Sequence, residues 1–412
     1  MHEEKKLVED AAKIGPMLTI NKSGKMVCRH PWTSMDLQPD GDVQICCYLP
    51  KRIVGNVKFH GVKGVWNSEE FQDFRREMSE KGAKAVCPKC HVLMGIKQWE
   101  TLNWYKDLDP NSEVYKNAKL SEEEIFEGKT VLASNPRRIK YIPSFVCNLN
   151  CYHCNQEQYR IKGFHKLERN IFNQVMEIFS TLQVINPFGG EPFIFPETIE
   201  FMRAIVEKNP ACRFYTTTNA NHFTDEIVDL LSKIKIMKMA VSYDGYTKEA
   251  YEKYRPGASW ETVLKNTEIL SKMKEKNPFP LVLNASFNNE TYKDIPILLE
   301  MCKKYKAASK MIPLHIKSNH DKEFWRKHVK MSKRDLNEWR GLIEEALRDK
   351  DLHLGTRNSL LNMKMLLKNY PYSEFQIFKN RVKVYIIDLC KKFGLYETIR
   401  PLYKKITGGY VK

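Results

Sequence analysis

The 412-residue sequence contains no run of 18 apolar residues, so no membrane-spanning helix is expected. Residues 1–13 are rich in charge and lack an apolar signal region, which points to the cytoplasm, where thiols stay reduced. Cysteine is sparse for so long a chain, and 11 of them cannot staple a disulfide scaffold. There is no internal repeat, no low-complexity tract, and no Lys/Arg-Gly-Phe stacking run of the kind found in RNA-binding modules. A hydrophobic fraction of 42% excludes disorder of the whole chain. The length exceeds one ordinary core and implies roughly two to three domains.

What is present is unevenly placed. The net charge is +17, and residues 321–412 hold 21 Lys/Arg against 11 Asp/Glu, more than half of the excess. That basic end reads as a solvated face or as a surface for an anionic partner. The cysteines cluster: five of the 11 lie within residues 28–90 and three within 147–154. In a reduced compartment, clustered thiols indicate metal binding or catalysis.

From Arg138 onward, short β-rich runs alternate with amphipathic helices. The predicted strands are 139–142, 182–186, 213–218, 237–242, 281–287 and 311–316. Between them, Ile227, Leu230, Leu231 and Ile234 recur at helical spacing, as do Leu298, Met301, Cys302 and Tyr305. Six such units imply parallel strands with right-handed crossovers. The expected fold is α/β: a partial (β/α)6 TIM-like barrel, a small N-terminal Cys-rich α+β module and a C-terminal helical extension. Chemistry would sit at the C-terminal ends of the strands. In the N-terminal module, residues 37–45 read as strand, turn, strand around Pro39-Asp40-Gly41, and a helix runs from Ser68 to about residue 81. Residues 100–135 read as a polar, partly helical connector.

Directly after the first core strand comes Cys147-Asn148-Leu149-Asn150-Cys151-Tyr152-His153-Cys154. Three thiolates this close can converge on one metal centre. A structural zinc would need a fourth ligand, and His153 is poorly placed beside Cys154 to supply it. An iron–sulfur cluster normally takes four Cys, so with three it keeps an open position. The C-x3-C-x2-C spacing after a first strand resembles the signature of the radical S-adenosylmethionine (SAM) superfamily. That resemblance implies a [4Fe–4S] cluster on Cys147, Cys151 and Cys154 whose fourth iron is chelated by SAM. It also implies reductive cleavage of SAM to a 5′-deoxyadenosyl radical that abstracts hydrogen from substrate.

Further segments agree with this family in order. Gly189-Gly190-Glu191-Pro192 follows the second strand and resembles the motif that contacts the SAM amino group. Glycines there permit close backbone approach, and Glu191 can pair with an ammonium. Thr217-Thr218-Asn219-Ala220-Asn221 ends the third strand and resembles a Thr-Asn-Gly segment, with Ala220 in place of Gly. Ser242-Tyr243-Asp244-Gly245 ends the fourth and resembles a segment near SAM ribose or substrate, while Arg255 is placed to reach the SAM carboxylate. The implied cofactor contacts are thus Gly189, Gly190, Glu191, Pro192, Thr218, Asn219, Ser242, Asp244 and Arg255. Asn284, Ser286 and His315 are further candidates on later strands.

Cys28, Cys46, Cys87 and Cys90 form a second possible ligand set, the last two as a C-x2-C knuckle. Spacing alone accepts zinc or a [4Fe–4S] cluster. The order Cys, hairpin and Cys, Gly55-Asn56-Val57, Trp66-Asn67, C-x2-C resembles a SPASM/twitch auxiliary-cluster domain. Such a domain usually follows its barrel, whereas here it precedes it and carries Cys for one cluster, with Cys47 left over. The expected division is 1–24 tail, 25–95 auxiliary module, 96–135 linker, 136–320 radical SAM core and 321–412 basic helical extension.

These resemblances imply a radical SAM enzyme with one auxiliary [4Fe–4S] cluster, an electron donor such as flavodoxin or ferredoxin, and a peptide or protein side chain as substrate. An anionic nucleotide, nucleic acid or sugar is the alternative. A non-catalytic zinc or iron–sulfur module is the reading from another class.

Overall fold

The computed structural model describes residues 17–46, 52–88, 90, 102–154, 156, 166–314, 322–368 and 370. Cys47 and His315 lie outside them. By contact density the chain forms two units. One comprises Met1–Ala285 with Leu298–Lys310, the other Ser286–Ile297 with Met311–Lys412.

The first unit holds a two-stranded sheet, β1 (Leu18–Ile20) with β2 (Met26–Cys28). The large sheet has nine strands in the order β11-β10-β9-β8-β7-β6-β3-β4-β5. Its core strands are β6 (Arg138–Tyr141), β7 (Val184–Pro187), β8 (Arg213–Thr218), β9 (Lys235–Ser242), β10 (Leu281–Phe287) and β11 (Ala308–Pro313). β6 through β10 pair in parallel, each pair joined by helical segments, as alternation of apolar strands and amphipathic helices requires. β5 and β11 end the order, so among the described residues the sheet is open and no closed barrel forms. The last core strand starts three residues earlier than the sequence pattern places it, at Ala308. The second starts two later, because Phe179–Thr181 forms a 3-10 turn before it.

The N-terminal module supplies β3 (Ser34–Leu37), β4 (Asp42–Gln44) and β5 (Ile53–Asn56). β3 pairs in parallel with β6, level at Asp36 and Lys140, so the module extends the core sheet. β3 and β4 form the hairpin expected at Pro39-Asp40-Gly41, where Gly41 takes φ 90° and its N–H closes on Gln38 O at 2.9 Å. Helix Glu69–Lys81 begins where Ser68 Oγ accepts from Phe71 N. The same hydroxyl donates to Val54 O at 2.6 Å, blunting the edge of β5. Arg75 on this helix is fully buried. It donates to the carbonyls of Pro31, Trp66 and Thr130 and lies over the Trp66 and Phe71 rings at 4.5 and 4.2 Å. The connector is largely the helix Glu113–Glu127, capped by Ser112 at its start and left-handed Gly128 at its end.

On one face of the sheet, Tyr141 packs against Phe172 and Phe201 of the helices Arg169–Glu177 and Pro196–Glu207, with centroids 6.2 and 5.2 Å apart. Against the other face, Leu102 forms a buried cluster with Val184 and Met237.

The second unit centres on Trp339 of helix Lys333–Ala346, which is fully buried and packs on Tyr292, Phe287 and Tyr370. That helix opens with a Ser332/Asp335 capping box. Among the described residues, no helix is long and apolar enough to cross a membrane.

Candidate cluster and cofactor site

The loop after β6 carries Cys147, Cys151 and Cys154, each half-buried and in no disulfide. It is clamped on two sides by backbone. On one side, Gly190 N donates to Ser144 O and Glu191 N to Val146 O at 3.3 and 3.1 Å. A Cβ at Gly190 would stand 1.7 Å from Val146 O, and one at Gly189 2.3 Å from Ser144 O. Only glycine allows the two loops to approach this closely. On the other side, Asn150 N donates to Pro256 O at 3.0 Å and Tyr152 N to Tyr254 O at 3.3 Å. Leu149, 3% exposed, anchors the loop in the core. The sulfur of Cys147 accepts from Leu149 N at 3.4 Å and from Asn219 Nδ2 at 3.8 Å.

Glu191 is buried, and its carboxylate accepts from Thr218 Oγ1 (2.7 Å), Asn219 N (2.7 Å) and Phe193 N (3.2 Å). Burial pushes its carboxyl up to about 7, against the pull of these three donors. Glu191 thus ties the glycine loop to the end of β8, and Pro192 starts the 3-10 turn Pro192–Ile194 beside it. Asn219 also donates to Asn148 Oδ1 at 2.8 Å, closing the circuit back to the Cys loop. Ala220 sits at φ 53°, a left-handed conformation that glycine adopts without cost.

Asp244, at φ 67° after β9, holds a buried charge cluster. Arg255 Nη2 donates to Asp244 Oδ2, and His153 Nε2 lies 2.9 Å from the same oxygen. Arg255 Nε donates to Tyr243 O at 2.8 Å. Burial alone would raise the Asp244 carboxyl, but Arg255 and His153 outweigh it and hold it well below the usual carboxylate range. Asp244 in turn keeps the Arg255 guanidinium charged despite burial. The sequence signals marked Asp244 and Arg255 separately. Their partnership with His153 is a product of the fold, and the nearest signal was a lone His inside the Cys motif. Ser242, Asn284 and Ser286 are half-buried on β9 and β10.

In the N-terminal module, burial pushes the Cys28 thiol up to about 12, and Cys90 and Cys87 add to the shift. Cys87 is pushed up to about 11 by burial and Cys90. Cys90 N donates to Cys87 O at 2.9 Å, forming the knuckle, and Cys46 follows Ile45, whose N–H meets Arg52 O. Cys46 is also half-buried and in no disulfide.

Both sets fit iron–sulfur ligation by their donors: soft thiols, none of them in a disulfide. In the triplet, burial pushes Cys151 up to about 11, with Asp244 and the thiols of Cys147 and Cys154 adding to it. Among the described residues, no three His, Cys, Asp or Glu side chains are gathered as ligands of a single metal ion. A cluster of several irons distributes its thiolates over different irons, so its ligands stand further apart than those of one zinc.

Comparison with known proteins agrees. Residues 141–302 match the model of the Radical SAM superfamily, and residues 28–91 match that of the SPASM iron–sulfur cluster-binding domain. The first implies a [4Fe–4S] cluster and SAM, the second auxiliary iron–sulfur ligation. Over 184 residues the chain is 27% identical to an AdoMet-dependent heme synthase of Methanosarcina barkeri, covering 43% of this chain and 50% of that protein. The chain thus spans about half the length of this curated relative. Among solved structures it is similar to SuiB of Streptococcus suis bound to S-adenosylmethionine (17% identity, TM-score 0.38, 74% of this chain and 62% of that one). It is also similar to anSMEcpe with bound AdoMet and a Cp18Cys peptide (19% identity, TM-score 0.40, 52% and 59%).

Proposed function

We propose, from the match of residues 141–302 to the Radical SAM superfamily model and of residues 28–91 to the SPASM model, that the chain is a radical SAM enzyme that modifies a peptide or protein side chain by hydrogen abstraction. The observation that carries this reading is the three-thiol loop at the C-terminal end of β6, held between the Gly189–Gly190 loop and residues 254–257. When bound, the cluster supplies the electron that cleaves SAM to a 5′-deoxyadenosyl radical.

The chain's own residues orient and exclude water. Cys147, Cys151 and Cys154 are the ligands, and Asn219 donates to the Cys147 sulfur. Gly189 and Gly190 let the Cys loop seat against their backbone, with Glu191 and Pro192 fixing their loop where it would meet the SAM methionine. Thr218 holds Glu191. Ser242, half-buried at the end of β9, would serve as a contact to the ribose or substrate, while Asp244 and Arg255 brace the Cys loop through His153. Cys28, Cys46, Cys87 and Cys90 would hold the auxiliary cluster, whose chemistry when bound would be electron transfer or substrate binding. An electron donor of the flavodoxin or ferredoxin kind supplies the reducing equivalent. The SPASM domain supports a peptide substrate because the resemblance on which it rests associates auxiliary clusters with peptide modification.

Anaerobic reconstitution tests this. The expected result is about eight iron per chain and 5′-deoxyadenosine formed from SAM. Cys147→Ala should abolish cleavage. Zinc uptake with no cleavage of SAM would identify a non-catalytic metal module instead.

A further inference from the structure

We propose that Arg29, pinned by Glu122, sets the reduction potential of the auxiliary cluster, its fixed positive charge next to the ligand Cys28 favouring the reduced form. This deepens the reading above and rests on it for the cluster itself.

Arg29 directly follows Cys28, the last residue of β2, and precedes the short helix His30–Thr33. Its backbone is tied on both sides. Arg29 N donates to Met17 O at 2.9 Å, while Arg29 O accepts from Trp32 N at 3.0 Å and from Thr33 Oγ1 at 3.1 Å. Its side chain is tied by the connector: Arg29 Nη1 donates to Oε2 of Glu122, on helix Glu113–Glu127. The other oxygen of Glu122, Oε1, accepts from Arg137 Nη1. Arg137 is fully buried and also donates to Gln183 Oε1 and Leu102 O. With so many ties, the Arg29 guanidinium is a charge held in one place.

The ion pair does not cancel that charge. Two guanidiniums against one carboxylate leave one net positive charge, because arginine stays protonated. Burial alone would raise the Glu122 carboxyl, but Arg29 and Arg137 outweigh it and keep it below its ordinary value. A second arginine near the same ligand set is weaker. Burial and Cys90 push Cys87 up, Arg52 pulls it down, and Glu77 opposes Arg52. The side chains of Arg52 and Glu77 are 42% and 30% exposed, whereas that of Arg29 is 17% exposed. Water screens the first pair more than the second.

Two further observations point toward the cluster. Burial raises the Cys28 thiol, and the His30 N–H bonded to its sulfur and the Arg29 charge pull it back. Both groups favour negative charge on that sulfur. Reduction adds one electron, and so one negative charge, to a thiolate-bound cluster without making or breaking a bond. Nearby charge and hydrogen bonds to its sulfurs set how readily that happens. The second observation is Arg29 Nε, which is buried and meets no hydrogen-bond acceptor among the described residues. A buried donor left open is costly, and a sulfur-rich group bound at Cys28 supplies acceptors.

The test is a redox titration of the reconstituted holoenzyme, followed by electron paramagnetic resonance. The signal lost in Cys87→Ala identifies the auxiliary cluster. Arg29→Gln should lower its midpoint, so that the reduced-to-oxidised ratio at a fixed potential falls about tenfold, or about 59 mV for one electron. Arg29→Lys, which keeps the charge, should recover most of that shift. Glu122→Gln removes the shared carboxylate and should raise the midpoint. Opposite signs separate charge from disruption, since a merely loosened module would shift both variants one way or cost both their iron. Arg203→Gln, on the outer helices, should titrate as the parent does. If Arg29→Gln does not hold iron, Glu122→Gln carries the test alone. Shifts of one sign in Arg29→Gln and Glu122→Gln, or Arg29→Lys behaving as Arg29→Gln, would overturn the proposal. Zinc in the module in place of iron overturns the auxiliary-cluster reading and this inference with it. Iron with an unmoved midpoint sinks this inference alone, and the expected shifts without 5′-deoxyadenosine formation sink only the enzymatic reading.

Discussion

Thr218 Oγ1 donates a 2.7 Å hydrogen bond to Glu191 Oε1, joining the glycine-rich loop after β7 to the last residue of β8. With the Asn219 N–H on the other carboxylate oxygen, this makes Glu191 the pin between two loops that meet at the Cys segment. Glu191→Ala would leave three buried donors unsatisfied. The expected loss is about 2–4 kcal/mol of stability, read by denaturant unfolding of the SAM-free protein.

The raised carboxyl of Glu191 has a signed pH consequence. A group whose folded value lies above its ordinary one contributes stability that is fully present below the ordinary value, 4.5, and lost as pH rises through about 7. Stability should therefore decline across that window. Glu191→Gln should flatten this part of the profile, and an unchanged slope in thermal melts would contradict the assignment.

Gly190→Ala should force the Cys loop off its seat, since the added Cβ meets Val146 O at 1.7 Å. Lower melting temperature and reduced iron on reconstitution are the expected readouts. Gly341→Ala is the opposite case. It lies within helix Lys333–Ala346 with nothing near the new Cβ, and should stabilise by about 0.5–1 kcal/mol.

Asp244→Ala removes the shared partner of Arg255 and His153 and leaves a buried guanidinium uncompensated. The expected cost is about 3–5 kcal/mol. Iron retention after reconstitution should fall as well, because His153 lies between Cys151 and Cys154. Retained stability and iron would show that the cluster of charges does not brace the loop.

Cys87→Ala should remove about four iron per chain while leaving the triplet's share. Elemental analysis beside the iron–sulfur absorption separates this from loss of zinc.

Much of the core was legible because its signals are local. Strands β8 and β10 begin and end where apolar alternation places them, and Ser68 marks its helix start by chemistry that acts over three residues. Ala220 was legible as a departure, and its φ of 53° explains why glycine suits that position. The pairing of β3 with β6 left no mark in the sequence. Strand pairing runs through backbone groups common to all residues, so side-chain patterns do not name the partner. The Asp244–Arg255–His153 cluster was hidden for a related reason: its members come from three separate loops, and only the closed fold brings them within hydrogen-bond reach.

The sequence by itself determined the local features: seven cysteines in two clusters, glycines where loops must touch, and alternating strands and helices. Those properties depend on residue type and short spacing. Only the tertiary structure decided that the auxiliary module shares the core sheet and that Glu191 is a buried pin. Register is set by the summed burial of every strand at once.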